Sequence, residues 1–127
     1  MRVLIADDEK DVAHTIETLV KTCHHDVVGV VTTGGMDVIR SFVELKPDVV
    51  MLDIMMPRFN GFTVTHAIRS RNPNAKIILM SGLVEESHPF VQNCGADAFL
   101  EKPLKLDDVV RVLSPGRDRP KLSLSAV

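Results

Sequence analysis

The chain has 127 residues, 45% of them hydrophobic and 25% charged, and 15 Lys and Arg against 17 Asp and Glu give a formal net charge of −2. That length suits one domain with its own core, and the charge balance argues against a strongly basic nucleic-acid binder and excludes an acidic disordered chain. With no Trp, no Tyr and 5 Phe there are few candidates for base stacking, and no apolar run approaches the roughly 20 residues of a membrane span.

Val3-Leu4-Ile5-Ala6 is the first of five short apolar runs that lack polar alternation, the pattern of strands covered on both faces. Val12, Ile16, Leu19, Val20 and Cys23 then share one helical face. The run Val27–Val31 is followed by Val38, Ile39, Phe42 and Val43, a helix that Lys46-Pro47 ends. Val49–Leu52 precedes a third helix from Phe62 to about Arg71, carrying Val64, Ala67 and Ile68. After Ile77–Met80, Ser87 as N-cap and Pro89 in the first turn predict a short helix, about Pro89–Cys94, that stops at Gly95. Ala98-Phe99-Leu100 is the last run, and Leu106, Val109, Val110 and Leu113 form the last helical face behind Asp107 and Asp108. Each gap holds one helix and two loops, so the chain reads as βαβ units around a parallel sheet. Residues 1–114 form the expected domain. Residues 115–127, with two Pro and no apolar period, read as a flexible tail.

The C-terminal ends of parallel strands share one edge, and ligands bind there in open α/β sheets. Asp7-Asp8-Glu9 follows the first run, Asp53 the third, Ser81-Gly82 the fourth and Lys102-Pro103 the fifth. Two carboxylates about 4 Å apart repel by roughly 4 kcal/mol at an effective dielectric of about 20, so a cluster of them calls for a cation. Carboxylate and carbonyl oxygens suit Mg²⁺, Lys102 offers a point charge for a phosphoryl oxygen, and Ser81 offers a hydroxyl donor. The set fits a phosphoryl group carried on one of the pocket's own carboxylates. Asp7 and Asp8, adjacent in sequence, suit the metal floor. Asp53, alone at the end of the central strand, is assigned the attack.

These residues resemble the receiver domains of response regulators in two-component signalling. The resemblance rests on Asp7-Asp8, the stretch Asp53-Ile54-Met55-Met56-Pro57-Arg58-Phe59-Asn60-Gly61, Ser81-Gly82, Gly95-Ala96-Asp97 and Phe99-Leu100-Glu101-Lys102-Pro103, and it spans residues 2 to about 113. It implies a doubly wound, flavodoxin-like (βα)5 α/β fold with strand order 2-1-3-4-5. It implies that Asp53 accepts a phosphoryl group from the phosphohistidine of a sensor histidine kinase or phosphotransfer protein. Mg²⁺, with Mn²⁺ as a substitute, would be held by Asp8, Asp53 and the Met55 backbone carbonyl, and by Asp7 through water. Lys102 would pair with the phosphate and the Lys102-Pro103 peptide would be cis. Ser81 and Gly82 would contact the phosphate, Ser81 swinging towards it. Phe99 would turn inward, changing the face of the fourth helix, fifth strand and fifth helix for a downstream protein effector.

The same resemblance implies a cytoplasmic monomer or phosphorylation-dependent dimer, with no membrane, no direct nucleic-acid binding and no turnover of an external substrate. Only Arg111 is basic in the last helix, which gives charge-paired dimerisation no support. Met55, two residues beyond Asp53, is a bulky apolar group that cannot position an attacking water, so a slow loss of the phosphoryl group is expected. Pro89 shortens the fourth helix, so that face is expected to be mobile or remodelled. No effector domain follows the last helix, which suggests a stand-alone regulator or a receiver excised from a larger protein.

Other readings fit less well. A flavodoxin-type carrier needs hydroxyl and glycine donors after the first strand, where this chain has acids. A haloacid-dehalogenase-type phosphatase needs a carboxylate where Met55 stands. A receiver-shaped interaction module indifferent to phosphate would not need the full acidic, hydroxyl and lysine set. His14, His24, His25, His66 and His88 lack ligand spacing and read as surface or hydrogen-bonded residues. Cys23 and Cys94 lack partner spacing and read as small core residues of a reduced protein. Residues 115–127 hold three bases (Arg117, Arg119, Lys121) and one acid (Asp118), so the rest of the chain carries 12 bases against 16 acids.

Overall fold

Strands and helices alternate throughout a computed structural model that describes residues 1–114; the tail expectation falls outside these residues. The order is β1 (Arg2–Ala6), α1 (Lys10–Thr22), β2 (Asp26–Val31), α2 (Gly35–Leu45), β3 (Val49–Asp53), α3 (Gly61–Arg71), β4 (Lys76–Ser81), α4 (Pro89–Gln92), β5 (Ala98–Glu101) and α5 (Leu106–Leu113). The sheet is parallel in the order β2-β1-β3-β4-β5, so the fold is the doubly wound α/β arrangement with a switch between β1 and β3.

The absence of polar alternation has a direct cause. Along β1, β3 and β4 both side-chain sets are buried, one on each sheet face. Val3, Ile5, Val49, Met51, Ile78 and Met80 pack with Ile16 and Val20 of α1 and Val109, Val112 and Leu113 of α5. Leu4, Ala6, Val50, Leu52, Ile77 and Leu79 pack with α2, α3 and α4 through Val38, Phe42, Val64, Ile68 and Val91. β2 departs from the expectation. It is an edge strand in which only Val31 is buried, because among the described residues no strand pairs with its outer side.

Helix boundaries follow local chemistry. The Asn60 side chain caps α3 by accepting from the Thr63 N–H at 3.0 Å. Lys46 takes a left-handed conformation at the end of α2, where the Arg2 guanidinium meets the carbonyls of Leu45 and Lys46. The Lys76 ammonium reaches the Val112 carbonyl at the end of α5. α4 is as short as Pro89 predicts, but its cap is His88, not Ser87: the His88 Nδ1 accepts from the Phe90 N–H at 3.1 Å. It ends at Gln92, two residues earlier than expected.

Candidate functional site

Register brings the sequence-predicted residues to one edge. β1 ends beside β3, β3 beside β4 and β4 beside β5, so the residues that follow each strand converge. Asp7 is wholly buried. Its backbone N–H donates to the Val31 carbonyl at 3.0 Å, and its Oδ1 accepts from the Glu9 N–H at 2.9 Å. Asp8 is exposed and gives the cluster an opening to solvent. Asp53 is 3% exposed, and its Oδ1 accepts from the Met55 N–H at 3.2 Å. Carboxylate oxygens of Asp7, Asp8 and Asp53 all lie within 4.8 Å of one another.

Lys102 stands opposite. Its ammonium is hydrogen-bonded to Asp7 Oδ2 and lies 3.3 Å from Asp53 Oδ2. Its backbone N–H donates to the Ser81 carbonyl at 2.9 Å, which ties the lysine to the end of β4, and the Lys102-Pro103 peptide is cis. Burial works against the ammonium, but the hydrogen bond to Asp7 and the charges of Asp53 and Asp7 outweigh it and raise its pKa. Asp53 is out of balance in the other direction. Burial, and then repulsion from Asp7, push it up from 3.8 to about 6 despite Lys102. One cation therefore leaves the pocket short of positive charge. Its hard oxygen donors, with Asp8 open to solvent, fit a small divalent cation.

The remaining predicted side chains make other contacts. Ser81 is buried, and its Oγ accepts from the N–H groups of Leu83 and Val84 at 3.0 and 3.2 Å, so the hydroxyl serves the turn after β4. A Cβ on Gly82 would meet Lys102 Cβ at 3.7 Å, an ordinary contact. Phe99 already lies inward, 5% exposed, in the core with Val91 and Ala96. The Met55 side chain is 52% exposed. Sequence reasoning passed over the groove beside it, in which Phe62 and Phe90 meet edge to face at 5.9 Å. Phe90 is 67% exposed, and an isolated Phe after Pro89 carries no periodic signal that would single it out.

A doubly wound α/β domain with three clustered carboxylates and a half-buried lysine at its ligand edge defines the class. Residues 3–114 match the response regulator receiver domain, and the chain belongs to that family. It is similar to the chemotaxis protein CheY of Thermotoga maritima, 33% identical over 114 residues that span 89% of this chain and 94% of that protein. The CheY of Listeria monocytogenes is 31% identical over 89% of this chain and 95% of its own. Among solved structures, a chain of the CheX-CheY-BeF3-Mg complex from Borrelia burgdorferi superposes with a TM-score of 0.82 at 25% identity, covering 89% of this chain and 86% of that one.

Proposed function

We propose that the chain is a phospho-accepting receiver in which Asp53 takes a phosphoryl group from a phosphohistidine on a sensor histidine kinase or phosphotransfer protein. The observation that carries this reading is the position of Lys102, facing Asp53 and Asp7 in a pocket that one cation does not neutralise. An Asp53 carboxylate oxygen attacks phosphorus. The new P–O bond forms as the P–N bond breaks, and the imidazole nitrogen leaves with the electron pair. Asp8, Asp53 and the Met55 carbonyl would hold Mg²⁺ (or Mn²⁺), with Asp7 acting through water, and the cation would supply charge neutralisation at the phosphoryl oxygens.

Lys102 pairs with the phosphoryl group. The Ser81 hydroxyl and the Gly82 backbone turn towards it, which requires Ser81 to release Leu83 and Val84. Loss of that turn loosens the segment before α4 and alters the α4-β5-α5 face that a downstream protein meets, with Phe99 already inward before the switch. No helix among the described residues is long and apolar enough to cross a membrane, which is compatible with a cytoplasmic site of action. No external substrate is turned over.

The test is incubation with acetyl phosphate and Mg²⁺, followed by intact-mass measurement. One phosphoryl group is expected on the wild type and none on Asp53→Asn or on the wild type in EDTA. A mass gain that survives Asp53→Asn would sink the assignment. No gain, together with no beryllofluoride binding, would favour a phosphate-independent interaction module. Because Met55 cannot position water, Met55→Asn should lose the phosphoryl group faster than the wild type, and an unchanged decay would remove Met55 from the account.

A further inference from the structure

We propose that Gly35, at the start of α2 and far from the acids in sequence, is a positioning residue for the β3–α3 loop that carries the Met55 carbonyl; the metal role of that carbonyl rests on the function proposed above. The first turn of α2 has no side-chain cap. Its leading N–H is satisfied by the loop instead: Gly35 N–H donates to the Pro57 carbonyl at 3.2 Å. That carbonyl also accepts from the Phe59 N–H at 3.0 Å, so one loop oxygen joins the helix start to the loop's own turn.

The seat is made by a missing side chain. A Cβ on Gly35 would lie 2.1 Å from the Phe59 carbonyl oxygen, 2.8 Å from Phe59 Cβ and 2.8 Å from Val64 Cγ2. The nearest of these is backbone and cannot rotate away. Opening the gap from 2.1 to 3.0 Å, below which Cβ contacts essentially do not occur, needs a shift of roughly 0.9 Å.

That shift has little room to dissipate. At its far end the loop is fixed by Gly61, whose N–H donates to the Ile54 carbonyl at 2.8 Å. A Cβ on Gly61 would lie 2.7 Å from Ile54 Cα and 2.8 Å from the Asp53 carbonyl oxygen. Met56 is buried and its N–H donates to the Ile54 carbonyl at 3.1 Å. A loop clamped at both ends transmits a displacement at Phe59 towards Met55 and Asp53, as supporting residues around metal ligands generally do.

The test combines Mg²⁺ titration calorimetry with NMR of ¹³C-methyl methionine. Gly35→Ala is expected to bind Mg²⁺ roughly tenfold more weakly. It should move the methyl signals of Met55 and Met56 while leaving Met51 and Met80, buried in the sheet, in place. Val112→Ala, a core change beneath α5 on the opposite face, should keep the wild-type affinity. Wild-type affinity in Gly35→Ala, or unmoved Met55 and Met56 signals, overturns the inference, as does an equal loss of affinity in Val112→Ala. Wild-type protein that binds no Mg²⁺ overturns the proposed function instead, and the methyl signals then still decide whether Gly35 holds the loop. Should Gly35→Ala fail to fold, the wild type gives the answer: the Gly35 amide must gain exchange protection on Mg²⁺ addition, and unchanged protection refutes the coupling.

Discussion

The sheet carries a largely buried ion pair at each edge, and the two are built on opposite principles. At the N-terminal edge Arg69 meets Asp97 at 3.1 Å. The guanidinium also reaches the carbonyls of Pro73, Ala75 and Gly95, and Asp97 accepts from the Ile77 N–H at 2.7 Å. One positive charge meets one negative charge, and the fork of the arginine closes the end of α3 onto the starts of β4 and β5. At the C-terminal edge Lys102 meets two buried carboxylates with a third in reach. The first centre is balanced in charge without a ligand, although Arg69 Nε is buried with no hydrogen-bond partner among the described residues, whereas the second is short of charge and open through Asp8. Burial alone does not mark a site; uncompensated buried charge does.

The largest effect expected from breaking this contrast is at the closed centre. Arg69→Ala would leave the largely covered Asp97 without its cation and remove the donor from the Ala75 and Gly95 carbonyls, so urea denaturation should show a loss of about 3 kcal/mol. A loss below about 1 kcal/mol would mean that the two centres differ less than their geometry suggests.

At the open centre the sign reverses. Asp53 holds its proton up to about 6 in the folded chain against an ordinary 3.8, so between those values the folded state binds more protons than the unfolded state. Its contribution to stability is therefore fully present below about 3.8 and lost as pH rises through about 6, a span worth about 3 kcal/mol. In EDTA, Asp53→Asn should remove that fall and be more stable than the wild type at pH 7 by about 2–3 kcal/mol. A variant less stable than the wild type at that pH would show that Lys102 already balances the pocket.

The open centre was legible in the sequence and the closed one was not. Asp7, Asp8, Asp53 and Lys102 each follow an apolar run, so the strand ends alone locate them. Arg69 is one of several polar residues on α3, and only the tertiary fold brings it against Asp97, 28 positions away. β2 misled for a related reason: Val27-Val28-Gly29-Val30-Val31 is as apolar as the central strands, yet Val30 is 38% exposed because edge position depends on strand order. The helix cap moved from Ser87 to His88 because an imidazole nitrogen can accept a backbone N–H as a hydroxyl does. Gly35 has no signature of its own, since its role lies in what a side chain would strike.

The smallest expected effect is the strictest check on the comparison. The strands between the centres hold 6 residues in β4 and 4 in β5, which at about 3.3 Å per residue puts the two pairs more than about 10 Å apart. Perturbations so separated, with no shared partner, add to within about 0.5 kcal/mol. Mg²⁺ at about 100 times its dissociation constant stabilises a folded state that alone binds it by about 2.7 kcal/mol. Asp97→Asn, weakened at the closed centre, should gain that same increment to within about 0.5 kcal/mol when both proteins are unfolded in urea with and without the ion. A gain differing by more than about 1 kcal/mol would make the sheet a conductor between its edges, and the arginine pair would then belong to the switch.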